Sequence, residues 1–138
     1  MKSTPFMPCG SMIDAYFSRL ADQIDACRIV VTSTVTYDKR DPTRGFVRGV
    51  LRFSDGSALH FREFVHATAS IQRLVYAYQY MDAEDRLIFR YDNAEHYPAL
   101  PNAPHHKHAG SENTVVASAA PTLDMVLAEV ELMVKVNT

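Results

Sequence analysis

Apolar side chains recur at helical spacing at Ile13, Tyr16, Phe17, Leu20 and Ile24, which predicts an amphipathic helix over residues 12–25. Ser11-Met12-Ile13-Asp14 supplies a hydroxyl at its start and a carboxylate three residues on, the pattern of a capping box. From Arg28 the period changes. Ile29, Val30, Val31, Thr32, Thr34, Val35, Thr36 and Tyr37 are dense in β-branched residues and read as a strand, with a turn over 38–44 around Asp41-Pro42. Residues 45–53 and 57–65 alternate on either side of Ser54-Asp55-Gly56, a hairpin signal. The alternation also selects the loop. Two residues at the turn would mix the faces, whereas three, with Gly56 at positive φ, pair Leu51 with Leu59 and Phe53 with Ser57. Val47, Leu51, Phe53, Leu59 and Phe61 then share a buried face, and Arg48, Arg52, His60 and Arg62 share the other.

A second hairpin is predicted from 70–81 and 86–92, turning at Asp82 to Asp85. It pairs Tyr80 with Leu87, Tyr78 with Phe89 and Tyr76 with Tyr91, so these tyrosines read as core packing rather than a stacking platform. On its other face Arg90 falls opposite Ala77, and Asp92 opposite Val75. Asn93 to Asn113 has three prolines and no hydrophobic period, and reads as a long loop. Leu123, Val126, Leu127, Val130 and Val134 mark a second amphipathic helix over 121–134, with Pro121 at its first position. The expected architecture is α+β: an antiparallel sheet of about five strands, with the N- and C-terminal helices packed on one face. Residues 1–10 read as a flexible arm and 11–138 as a single domain.

Composition removes several classes. The chain has 138 residues, 47% hydrophobic and 22% charged, which excludes a disordered polymer. No stretch approaches the roughly 18 apolar residues of a membrane span, and the start lacks a secretory pattern, so the expected compartment is the cytoplasm. Cys9 and Cys27 are then expected as thiols. The net charge of -2 gives no global case for nucleic-acid binding. The local distribution does. Residues 39–62 carry Lys39, Arg40, Arg44, Arg48, Arg52 and Arg62 against Asp41 and Asp55, and the predicted register sets Arg48 opposite Arg62. Like charges face to face cost stability, which an anionic partner such as phosphate would offset. The plain alternative is that both guanidiniums splay into water near Glu63 and Asp92. Arg48, Arg52, His60 and Arg62 are therefore the candidate phosphate- or RNA-binding set.

The second candidate is Arg90-Tyr91-Asp92-Asn93 followed by His96, His105, His106 and His108. Histidine exchanges protons near neutral pH, and an arginine can stabilise charge developing on phosphorus. These are the parts of a metal-independent ribonuclease, in which the RNA 2′-hydroxyl is the nucleophile. Arg90, Asp92, His96, His105, His106 and His108 form the candidate catalytic set. No cofactor is required by that chemistry. Zinc or another divalent metal is the rival use of clustered histidines, through His96, His106 and His108. The structural alternative is a solvated loop in which Asp92 and Asn93 cap backbone groups.

Several stretches resemble the TumE-like toxin family of small bacterial and archaeal proteins. They are Gly49-Val50-Leu51-Arg52-Phe53-Ser54-Asp55-Gly56-Ser57, Leu59-His60-Phe61-Arg62-Glu63-Phe64-Val65, Tyr76-Ala77-Tyr78-Gln79-Tyr80, Leu87 to His96, and Pro104-His105-His106-Lys107-His108. The similarity covers about residues 12–134. It departs at Glu95, where the family usually has a proline before the histidine. The resemblance implies a toxin held inactive by an antitoxin, often one with a helix-turn-helix domain. Action on RNA is the expectation drawn from the Arg/Asp/His set and from small toxins in general. RNA and a second copy of the chain are the other partners considered; a membrane is not. The reading from another class is a non-catalytic module that docks an acidic protein on its basic sheet face, with a structural or metal-binding histidine loop.

Overall fold

The computed structural model describes residues 11–134. Helix α1 (Met12–Ala26) begins where the cap signal places it: the Ser11 side chain accepts from the amides of Ile13 and Asp14. Asp14 does not close the box but binds Lys39 Nζ at 3.0 Å. Seven strands follow: β1 (Val30–Asp41), β2 (Arg44–Phe53), β3 (Ala58–Ala67), β4 (Ile71–Met81), β5 (Leu87–Asp92), β6 (His106–Ala109) and β7 (Val115–Ala117). Helix α2 (Leu123–Met133) ends the described chain, with Thr122 as its N-cap and Pro121 two residues ahead of the helix. All seven strands form one sheet in sequence order, every neighbour antiparallel. Such a meander needs only short connections, and no crossover.

The first hairpin is the predicted one. Leu51 pairs with Leu59 and Arg48 with Arg62, the Phe53 amide binds the Ser57 carbonyl at 2.9 Å, and Gly56 takes φ 86°. The rest of the sheet departs from expectation in three ways. There are seven strands rather than about five, because part of the predicted loop pairs: His106–Ala109 docks on β5 and Val115–Ala117 docks on it in turn. His-Lys-His-Ala has no apolar alternation and too little β-branching to announce a strand. Its conformation comes from the open edge of β5. The second hairpin is shifted by two residues, with Tyr80 opposite Phe89, Gln79 opposite Arg90 and Ala77 opposite Asp92. A bulge between Tyr80 and Met81 accounts for one residue and a shorter turn, closed by the Asp82 amide on Arg86 O, for the other; because the total shift is even the faces are kept. Finally, β1 extends through Asp41, and the turn shrinks to Pro42-Thr43. The Asp41 carboxylate holds it, accepting from the Thr43 and Arg44 amides and from the Arg44 guanidinium.

Both helices pack on one face, as expected. Ile13, Phe17, Leu20 and Ile24 of α1 and Leu123, Val126, Leu127 and Val130 of α2 close over Val47, Leu51, Phe53, Leu59 and Val65. Tyr76, Tyr78, Tyr80 and Phe89 complete this core, and the three tyrosines are buried as the pairing predicted. Burial of this many large side chains supplies the main driving force for the fold. Glu63 lies in the same core. It is fully buried and accepts from the hydroxyls of Tyr16 and Tyr78, while Arg73 donates to Tyr78 Oη at 2.7 Å. The Glu63 expected beside Arg48 and Arg62 is thus on the opposite face. Cys27 is buried, and Cys9, like the expected arm over 1–10, lies outside the described residues. No helix among the described residues is long and apolar enough to cross a membrane.

Candidate functional site

The face of the sheet away from the helices holds a cleft of about 1090 Å³. Its floor follows directly from the pairing. One rung across the sheet runs Thr36, Arg48, Arg62, Ala77, Asp92, His106. The next runs Thr34, Val50, His60, Gln79, Arg90, His108. Side chains two residues apart on each strand stand on the same face, so the two rungs form one patch. The basic face and the histidine segment, separate in the sequence, are two ends of it. Ala94, His96, Tyr97, Glu112 and Asn113 overhang the cleft from the connections on either side of β6.

At one end Arg48 and Arg62 stand directly opposite each other, both exposed. The ion pairs among the described residues engage Arg40, Arg44, Arg86 and Arg90, and none engages Arg48, Arg52 or Arg62. Ala77, next on that rung, is too small to cover them. At the other end Arg90 is fixed from several directions. Its Nε donates to Asp92 Oδ2 at 3.0 Å, and its Nη1 and Nη2 form a fork on Glu112 at 2.5 and 2.6 Å. Gln79 Oε1 and His108 Nε2 lie 3.3 and 3.1 Å from the same guanidinium. The hydrogen bonds from Arg90 hold the Glu112 carboxyl below its usual range.

The histidines separate by strand parity. His106 and His108 are both buried, and of the two His108 lines the cleft. Each ring is oriented by a backbone carbonyl: His106 Nδ1 lies 2.9 Å from Pro104 O, and His108 Nδ1 lies 3.0 Å from Glu112 O. A carbonyl only accepts, so each Nδ1 carries hydrogen and each Nε2 is turned to the site. His106 Nε2 is 2.9 Å from Asp92 Oδ1, and His108 Nε2 is 3.6 Å from Asp92 Oδ2. Tyr97 stands edge-on to both rings, with centroids 4.9 and 6.0 Å away. His105, one residue out of phase, faces the helix side instead, stacked on Tyr76 with its Nδ1 2.8 Å from Tyr76 Oη. Asn93 also looks away from the cleft, accepting from the Tyr76 amide and donating to Leu74 O, which extends the β4 ladder.

Of the candidate catalytic residues, the structure therefore gathers Arg90, Asp92, His106 and His108, sets exposed His96 over the cleft, and sends His105 to the other side of the sheet. Of the candidate phosphate set, Arg48, His60 and Arg62 line the cleft and Arg52 does not. Sequence reading missed Gln79, Tyr97 and Glu112. Gln79 alone had a signal: it is the polar residue between Tyr78 and Tyr80, and so belongs to the face of Arg90. Glu112 and Tyr97 reach the site by loop closure, which no spacing reports.

Fold and cleft together define a small α+β protein that covers one face of its sheet with helices and loads the other with guanidiniums and imidazoles. A family model described as Toxin TumE matches residues 20–134. The chain belongs to that family: it is the toxin component of a toxin–antitoxin system, which implies a cognate antitoxin. Neither the curated proteins nor the solved structures searched gave a match.

Proposed function

We propose that this toxin acts on RNA in the cleft as a small ribonuclease. The observation that carries the reading is the pair Arg48 and Arg62, opposed on one rung without ion pairs and in line with Asp92 and His106. Two facing guanidiniums repel each other, an anion between them relieves that repulsion, and a phosphodiester is such an anion. They would grip the backbone, and binding would be salt-sensitive. Arg90, held by its fork on Glu112, would face the reacting phosphate, where a fixed positive charge gains most as negative charge builds on the phosphoryl oxygens.

Proton transfer would fall to His60 and His96, which line the cleft and engage in no described hydrogen bond. One would take the proton of the 2′-hydroxyl as its oxygen attacks phosphorus. The other would protonate the departing 5′-oxygen, leaving a 2′,3′-cyclic phosphate and a free 5′-hydroxyl. Glu112 and Gln79 would hold Arg90 at the cleft. The antitoxin would carry a helix-turn-helix domain, a reading supported only by the sequence resemblance, and the site of action would be the cytoplasm.

The test compares purified wild type with Arg90→Gln and with His60→Ala/His96→Ala on a labelled RNA, alongside growth after induced expression. Wild type is expected to cleave and to arrest growth. Arg90→Gln should lose about a hundredfold in rate or more. Cleavage by both variants at the wild-type rate would overturn the assignment. So would growth arrest by both variants with no RNA cut by any form, the result expected of a docking module.

A further inference from the structure

We propose that Asp92, His106 and His108 form a binding site for a divalent transition metal, with zinc the best match to the ligand set. All three residues are buried, and one ligand atom from each lies within 4.8 Å of the others. The orientation of the rings carries the argument further. Metal-bound histidines characteristically donate their second nitrogen to a carbonyl or carboxylate, which fixes the tautomer and aims the free lone pair at the ion. Both rings have this arrangement here, through Pro104 O and Glu112 O.

With Nδ1 carrying hydrogen, His106 Nε2 presents a lone pair to the lone pairs of Asp92 Oδ1 at 2.9 Å. Two acceptors at that distance repel unless a cation sits between them, either a proton or a metal ion. His108 Nε2 is 3.6 Å from Asp92 Oδ2. A tetrahedral site built on bonds of about 2.0–2.1 Å places its ligand atoms about 3.3 Å apart, and the two separations bracket that value. Two imidazoles and one carboxylate suit zinc, and they leave its fourth position for a ligand. Asp92 and His108 both line the cleft, so that position would open toward the anion path past Arg48 and Arg62. The neighbouring Arg90 donates to Asp92 Oδ2 and to His108 Nε2, and so competes with the metal for both. Its existing fork on Glu112 involves neither ligand and would keep it at the cleft with the ion bound. The ion would take His106 and His108 as ligands, leaving His60 and His96 free for proton transfer.

The site shares its residues with the proposed RNA cleft, but it is read by metal binding alone, so it stands or falls apart from RNA cleavage. Chelator-treated full-length protein is dialysed against Zn²⁺ at micromolar concentration and assayed for bound metal. One Zn²⁺ per chain is expected, together with a melting temperature that rises with free Zn²⁺, as a native-state ligand requires. Asp92→Asn and His108→Ala should each weaken binding more than about tenfold, while His60→Ala, His66→Ala and His96→Ala leave it unchanged. Arg90→Gln should bind Zn²⁺ more tightly, which no site elsewhere in the chain would show. Absence of stoichiometric Zn²⁺ from folded wild type would overturn the proposal. Equal losses in His96→Ala and His108→Ala would overturn it too. If Asp92→Asn or His108→Ala fails to fold, the wild-type melting shift and the Arg90→Gln affinity decide.

Discussion

At the scale of single residues, this protein breaks a local rule where the function is proposed. Arg48 faces Arg62 across a strand pair, with no ion pair to either among the described residues. Favourable cross-strand pairs contribute roughly 0.2–1 kcal/mol, and facing like charges destabilise instead. Replacement of one should therefore improve the fold while harming the function. Arg62→Gln is expected to raise the urea midpoint by a few tenths of a kcal/mol's worth, to lower RNA affinity, and to reduce the salt slope of binding by about one. A variant less stable than wild type would show that the guanidinium has a structural partner. Glu63, one residue on, has the opposite logic: an acid amid the core, accepting from two tyrosine hydroxyls. Strand parity puts it on the face opposite Arg62, although it was expected beside the arginines as a counter-ion. Its hydrogen-bond partners were not legible, because Tyr16 and Tyr78 approach from a helix and from another strand. The same parity separates His105 from His106 and His108, but only once that segment is known to be a strand.

At the scale of elements, legibility followed the strength of local patterns. Helix α1 was readable because its cap and its apolar period agree, and the first hairpin because only one loop length keeps both faces consistent. Strand β6 was not, since four residues, three of them polar or charged, carry no period to detect. The second hairpin kept its faces and lost its register to a bulge and a shorter turn. How α1 seats on the sheet is likewise a tertiary matter. A Cβ at Gly45 would lie 2.7 Å from Phe17 Cζ and 2.9 Å from Ile13 Cγ2. Both side chains are fully buried and have no room to retreat. Gly45→Ala is accordingly expected to cost about 1–3 kcal/mol by forcing helix and strand apart, measured as a shift in the urea midpoint at constant slope. A neutral effect would mean that α1 slides freely on β2.

At the scale of the whole molecule, the helix face of the sheet is rich in tyrosine, and that sets an alkaline limit on stability. Burial raises the Tyr16 and Tyr78 hydroxyls, and the nearby Glu63 carboxylate reinforces the shift. Burial also pushes Tyr37 and Tyr76 up to about 12. The unfolded chain releases such protons near pH 10. Between those values the folded state binds more protons than the unfolded one, so stability is intact below about pH 10 and falls as pH rises beyond it. The urea midpoint should drop between about pH 10 and about pH 12, and Tyr37→Phe should flatten that decline. A flat profile for wild type would show that these hydroxyls ionise as readily in the folded chain as in the unfolded one. Side-chain order along the chain was enough to set the fold class, the common face for both helices, the opposed arginines and the chemical types in the site, because cap, period and parity are local properties. Only the folded sheet decided which of those residues meet. Its rungs join residues from 48 to 108 through the register of five successive strands, and a shift of one residue in any pairing would have turned the arginines or the histidines to the helix side.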